Sequence, residues 1–419
     1  MVNKKIIFLF LVLLIAAISL SPRFSLGYKY LFLTERSIDI RAEDILIFFG
    51  ALFLILSFLV SGKKSFKKPP LFWPIFSWII FGFFSIMVNL LIKDSNLNIF
   101  FFYFLKEIEF FVFYLLVFYC LSRFNINIEL MKYWFIFCSI NILWLLYVFI
   151  YQVRWSMYYG PNAFIEPKGP FPSGGFFLMT FIFLFNLFIF YYSRLNISNT
   201  KKILIFVLCT APLFGVLASG SYTAIVGLIV SLGLSLFIYL VNKVGIVRLD
   251  KISLMILLMM IVVFQLIRLF DLNVKISKAK ILWEYTSGDP VSRIGILKDK
   301  ISYLFENSFI NPFIGFGILG EAHSYYMRVL LERGLIGFLL FIWLMGAILL
   351  ISYKGMKDKN NLYKKALSSG LFIATIAMLV MAIPNDVFAV VKLDEVYWFF
   401  AAMTMAAIVN NRKDIKNVP

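Results

Sequence analysis

Histidine is nearly missing from this chain: one, His323, stands in 419 residues, beside only three cysteines. Cys120, Cys138 and Cys209 all fall inside apolar runs. Neither a disulfide framework nor a His/Cys set at metal-ligand spacing can be drawn from them, so no metal is expected. Charge is scarce too, at 15% of residues against 62% hydrophobic, with a mean hydropathy of +0.91. A soluble domain cannot bury that much apolar surface, which leaves a polytopic membrane protein. What charge there is leans one way, 40 Lys and Arg against 22 Asp and Glu, for a net +18. In a soluble protein that balance would suggest nucleic acid. Here the basic residues flank apolar runs, so the expected partners are membrane lipids, with a phosphate-bearing substrate as a second reading and no nucleic acid.

What is abundant is apolar length. Runs near the ~20 residues needed to cross a bilayer lie at about 6–22, 44–60, 71–92, 99–121, 133–151, 174–193, 203–219, 223–241, 252–270, 334–353, 366–384 and 396–410. The expectation is an all-α membrane protein of about 12 transmembrane helices, one integral membrane domain over 1–419. The first run follows Lys4-Lys5 and resembles a signal peptide, but it lacks a small-residue cleavage site and reads as a retained span. Lys and Arg concentrate in alternate loops, at 63–68, 194–202, 243–251, 354–365 and 412–416. Both termini are therefore expected on the cytoplasmic side. The loop 23–44 fits less well, because Arg23, Lys29, Arg36 and Arg41 sit on the outer side among Glu35, Asp39, Glu43 and Asp44.

The stretch 271–333 contains no span, and a loop of that length points to a role. Asp289-Pro290 reads as a helix start, and Ile294, Leu297, Ile301, Leu304 and Phe305 follow at helical spacing. That is an amphipathic helix lying on the outer membrane surface. Arg293 falls in its first turn, where free N–H groups favour an anion. It is either a phosphate ligand or an arginine snorkelling to lipid. Gly315-Phe-Gly-Ile-Leu-Gly320 spells a dinucleotide fingerprint, but no strand or βαβ unit frames it, so its glycines are read as turn-makers. A helix is expected from near Glu321 into the tenth span. On it His323 is either a proton-transfer group or a histidine satisfied by a carbonyl. Arg328 either pairs with Glu332 at i,i+4 or meets substrate. Lys106, Glu107 and Glu109 lie inside the fourth span, where charges are costly; they either hold helices together through a Lys106–Glu109 pair or contact substrate. Asp386, after Pro384, is a candidate for orienting another polar group.

The ordered set Arg293, then Asn311-Pro-Phe-Ile-Gly-Phe-Gly317, then His323-Ser324, then Gly334-Leu-Ile-Gly337 resembles the signature of the O-antigen polymerase and O-antigen ligase superfamily. It covers about 45 residues, and Lys168-Gly-Pro-Phe-Pro-Ser-Gly174 is similar to that family's outer loop before the sixth span. The resemblance implies a metal-independent bacterial glycosyltransferase, needing no cofactor, in the cytoplasmic (inner) membrane with its active site facing the periplasm. The segment 271–333 would then be periplasmic. Its donor would be an oligosaccharide on undecaprenyl pyrophosphate, with a chain-length regulator protein as a further partner. His323 would be the base toward the acceptor hydroxyl, and Arg293 would hold the pyrophosphate. One position departs. The family's second pyrophosphate-binding arginine, between the seventh and eighth spans, is replaced by Tyr222 in Gly220-Ser-Tyr-Thr-Ala224. Either Arg328, Lys168 or Arg154 supplies the missing cation, with Tyr222 and Ser324 as neutral contacts, or the chemistry is altered.

The chemistry is coherent without the family. A neutral imidazole can take the proton of a sugar hydroxyl as the bond forms, worth roughly 10²–10⁴-fold. A departing pyrophosphate needs fixed cations or a metal, and with no Asp-x-Asp and no Trp-Trp-Asp in the chain, arginines are the consistent choice. The leading expectation is a polymerase of O-antigen or capsule repeat units. The alternatives are a ligase transferring finished glycan to lipid A–core and a lipid-linked oligosaccharide flippase. The late outer segment and the lack of a repeat between halves count against the last.

Overall fold

The structure, a computed structural model, describes residues 4–20, 23–31, 34–61, 68–92, 97–124, 127–150, 170–219, 221–242, 302, 311–316 and 324–410. It is predominantly helical. The helices are α1 (Lys4–Leu20), α2 (Ala42–Ser61), α3 (Phe72–Ile92), α4 (Leu97–Phe124), α5 (Asn127–Ile150), α6 (Pro170–Phe190), α7 (Asn199–Ser219), α8 (Tyr222–Asn242), the single turn α9 (Asn311–Ile314), α10 (Tyr325–Met356), α11 (Leu362–Met381) and α12 (Val391–Asn410). Apart from α9, each coincides with an expected apolar run. The run 252–270 and the amphipathic stretch 289–306 lie outside the described residues, apart from Ser302. Among the described residues six helical stretches are long and apolar enough to cross a membrane: Phe72–Leu91, Gly174–Arg194, Asn199–Ser219, Thr223–Val241, Tyr325–Met356 and Leu362–Met381.

One element was not expected. Where a loop was read between the first two spans, β1 (Arg23–Leu31) and β2 (Thr34–Arg41) form an antiparallel hairpin, with Arg23 opposite Arg41, Leu31 opposite Thr34, and an irregularity between Ser25 and Tyr28. Ser37-Ile-Asp-Ile-Arg41 alternates polar and apolar residues, the pattern of a strand. Its charges had made it read as loop.

The centre of the bundle is α6, every residue of which is buried from Gly174 to Phe190. Rings from several helices meet there. Phe183 stacks on Phe400 of α12 with centroids 4.1 Å apart, and Trp134 of α5 stacks on Phe399 at 5.1 Å. α6 and α8 run in the same direction: Gly174 lies against Ala224 at one end, Asn186 meets Ser235 midway, and Phe190 meets Tyr239 at the other. α11 and α12 are antiparallel, as are α10 and α11, because Gly355 near the end of α10 abuts Ser368 near the start of α11. The beginnings of α6, α8, α10 and α12 and the ends of α7 and α11 therefore gather at one end of the bundle. Lys354, Lys357, Lys364, Lys365 and Arg194 belong to the other.

Candidate functional site

The turn after α11, Ala382–Asp386, joins three chain-distant segments at that end. The carbonyl of Ala382 accepts from Ser324 Oγ at 3.2 Å and from Tyr325 N at 3.1 Å, and the carbonyl of Asn385 accepts from Tyr325 N at 3.2 Å. These bonds satisfy donors that a helix start leaves free, so α10 is anchored at its first residue. Asn385 Nδ2 in turn donates to Thr223 Oγ1 in the first turn of α8. Close by, a Cβ on Gly174 would lie 2.5 Å from Ser219 Oγ and 3.0 Å from both Ser221 and Ala224. A larger residue would therefore push α6 away from the α7–α8 junction. Ser324, the Thr223 neighbour of Tyr222, Gly174 and Asp386 thus lie around one turn. His323, Arg293, Lys168 and Arg154 lie outside the described residues. Tyr222 opens α8, and only its backbone is described.

Arg328 is one turn into α10. Its Nε donates to Glu332 at 3.0 Å, which is the i,i+4 pair expected from spacing, and its Nη1 donates to Asp386 at 2.5 Å. Asp386, after Pro384, therefore holds a polar group, the Arg328 guanidinium, in place. The triad is mostly buried, with side chains 12–18% exposed. One guanidinium between two carboxylates leaves no net positive charge to offer an anion.

α10 is two helices in one. Gly334 interrupts it with φ 61° and ψ −165°, a region open essentially only to glycine. The second segment begins where the tenth span was expected, at 334, and the helix begins at Tyr325 rather than near Glu321. The break lets α9 press against it. A Cβ on Gly334 would lie 2.3 Å from the Phe313 carbonyl carbon, and one on Gly315, at φ 73°, would lie 2.3 Å from Arg333 N. Gly315 is thus the turn-maker the sequence suggested; Gly317 and Gly320 lie outside the described residues. Phe316 N donates to Leu331 O at 2.7 Å. From α3, Ser85 Oγ donates to Ile314 O at 2.6 Å and Asn89 Nδ2 to Gly315 O at 3.1 Å. The Pro-Phe-Ile-Gly turn is therefore wedged between α3 and α10, held through its backbone carbonyls.

Beside the break, Arg333 is buried. Its guanidinium lies 4.0 Å over the Trp78 ring, donates to Trp78 O at 3.1 Å, and pairs with Glu107 of α4. Trp78 Nε1 closes the group by donating to Glu107 at 2.8 Å. The Lys106–Glu109 pair is also present, at 2.9 Å, and Asp44 of α2 joins it at 2.6 Å from Lys106. Lys392 falls between the apolar runs 366–384 and 396–410, where the sequence points to a loop. It lies instead in the first turn of α12, fully buried, bonded to Glu43 and 3.5 Å from Glu395. Charge was taken as a span boundary there, but a buried ion pair carries the helix past it. Sequence reasoning passed over Arg333, Glu43, Asp394 and Glu395. Glu43, Asp44 and Glu395 bring one oxygen each within 4.8 Å of the others, but Lys392 and Lys106 already sit against them, and we assign no metal there.

No protein-family model matches the chain, and no curated protein matches it.

Proposed function

We propose that this protein is a membrane glycosyltransferase that polymerises O-antigen or capsular repeat units carried on undecaprenyl pyrophosphate. The observation that carries the reading is the meeting of motif segments far apart in sequence. The end of the Lys168–Gly174 motif, the Gly220–Ala224 junction and the Ser324 start of α10 surround the Ala382–Asp386 turn. A reaction needs such a meeting and a chain of unrelated apolar spans does not.

In this reading His323, directly before the anchored Ser324, takes the proton of the acceptor hydroxyl as its oxygen attacks the anomeric carbon. The glycosyl–phosphate bond breaks, and the pyrophosphate leaves with its charge held by Arg293, Lys168 and Arg154. Arg328, already neutralised by Asp386 and Glu332, positions the turn and the start of α10 more than it attracts the anion. Tyr222 and Ser324 offer hydroxyls to sugar or phosphate oxygens. The finer architecture belongs to the same proposal: 12 spans, including 252–270, and a periplasmic segment 271–333. The ends of α8 and α10 support it. α8 finishes at the far end of the bundle and α10 starts at the near one, as a proposed span at 252–270 requires. Lysines gathered at the far end support a cytoplasmic face there.

The test is the purified protein in lipid nanodiscs with undecaprenyl-pyrophosphate repeat unit as sole substrate. A ladder of products, lost in His323→Ala, supports the polymerase. Transfer only after lipid A–core is added favours a ligase. Movement of intact substrate across the bilayer with no new glycosidic bond refutes both.

A further inference from the structure

At this end of the bundle the described side chains include eight buried or half-buried carboxylates, Glu43, Asp44, Glu107, Glu109, Glu332, Asp386, Asp394 and Glu395. Against them stand five cations, Arg41, Lys106, Arg328, Arg333 and Lys392. Among the described side chains at this end, carboxylates therefore outnumber cations, although the chain as a whole carries +18.

The shortfall has a location. At the α2–α4–α12 junction Lys392 serves Glu43 and Glu395, Lys106 serves Asp44 and Glu109, and Arg41 is within electrostatic reach of Glu395. Among the described side chains three cations meet four carboxylates. Glu43 is bonded to Lys392, and Asp44 is held by Lys106 and by the Arg41 backbone N–H at 2.9 Å. Glu109 lies 2.9 Å from Lys106. Glu395 has the least support. It is fully buried, Lys392 stands off at 3.5 Å, and neither Oε accepts a hydrogen bond. Yet one of its oxygens lies within 4.8 Å of oxygens of both Glu43 and Asp44. Clustered carboxylates in a low-dielectric site cannot all ionise, and an unbonded buried charge is replaced by its neutral form. A metal ion would have to enter beside two ammonium groups; a proton needs no such space.

We propose that this junction is a proton-binding site, with the proton held on Glu395 and shared toward Glu43 and Asp44. Among the described residues the groups facing it are Arg41 at the end of β2, Glu43 and Asp44 of α2, Lys106, Glu107 and Glu109 of α4, and Lys392 and Asp394 of α12. From α1 comes the Ala17 carbonyl, 3.5 Å from Lys392 Nζ. At this end α6 and α11 present no charged side chain among the described residues. Asp394, with Oδ1 unbonded, interacts with Asp386, Glu107 and Arg328 and links the junction to the turn described above. The site does not depend on the glycosyltransferase reading.

A carboxyl that keeps its proton when folded and loses it on unfolding makes the protein less stable as pH rises. The experiment uses the full chain in nanodiscs. Infrared spectroscopy at neutral pH should show a protonated-carboxyl band that is lost in Glu395→Gln and kept in Glu109→Gln. Melting temperature should fall from about pH 6 to about pH 9 in the wild type and stay flat in Glu395→Gln. Should Glu395→Gln fail to fold, Glu395→Asp keeps the carboxyl and should move the band rather than remove it. A wild-type spectrum without the band, its survival in Glu395→Gln, or its removal at constant pH by sodium or calcium would overturn the proposal.

Discussion

The break in α10 can be tested with one methyl group. In Gly334→Ala the backbone must keep φ 61° and ψ −165° with a Cβ attached, which costs on the order of 1–3 kcal/mol. The new carbon would also stand 2.3 Å from the Phe313 carbonyl carbon, 2.4 Å from its oxygen and 2.6 Å from Ile314 N. All three are backbone atoms, so no side chain can swing aside. Reaching ordinary contact near ~3.5 Å means moving the Asn311–Phe316 turn by about 1 Å. That strains the Phe316–Leu331, Ser85–Ile314 and Asn89–Gly315 bonds of 2.7, 2.6 and 3.1 Å, each worth about 1 kcal/mol. The sum is about 4–6 kcal/mol, comparable with the whole stability of many domains. The control lies in the same helix. Gly346→Ala meets nothing within 4 Å and should gain up to about 1 kcal/mol from helix propensity. Thermal unfolding of both variants in nanodiscs is the assay. Equal melting temperatures would refute the argument, because the turn would then not depend on a glycine-only backbone at 334.

Three further changes probe other parts of the same end. Lys392→Ala strands Glu43 in the core and should cost about 3–5 kcal/mol; thermal melts should show Lys392→Met with Glu43→Leu recovering most of the loss. Arg328→Ala and Asp386→Ala should be non-additive by about 1–3 kcal/mol in a double-mutant cycle, and additivity would mean that the 2.5 Å contact carries no energy. Gly174→Ala should lower the melting temperature, and product yield in the proposed polymerase assay, through its 2.5 Å clash with Ser219 Oγ, and adding Ser219→Ala should restore part of each.

The helices were legible because an apolar run bounded by charge is a strong signal. The same signal misled where charge is buried. α12 begins at Val391, five residues before the expected boundary, because Lys392 is neutralised by Glu43. The Arg328–Glu332 pair was legible from i,i+4 spacing, whereas the Ser85–Ile314 and Thr223–Asn385 bonds join residues 229 and 162 positions apart and leave no local trace. Arg333 is the instructive miss, since charge balance alone could have found it. α4 carries Lys106, Glu107 and Glu109, one cation for two acids, in a run where an unpaired charge is costly. Another helix had to supply a cation. The tenth span opens with Arg333-Gly334, an arginine at the apolar boundary beside a residue that permits close approach. Glu107 takes that arginine, and Lys106 is left for Glu109 and Asp44. Balancing charges span by span, before assigning any residue to lipid or loop, would have tied α4 to α10 from the sequence.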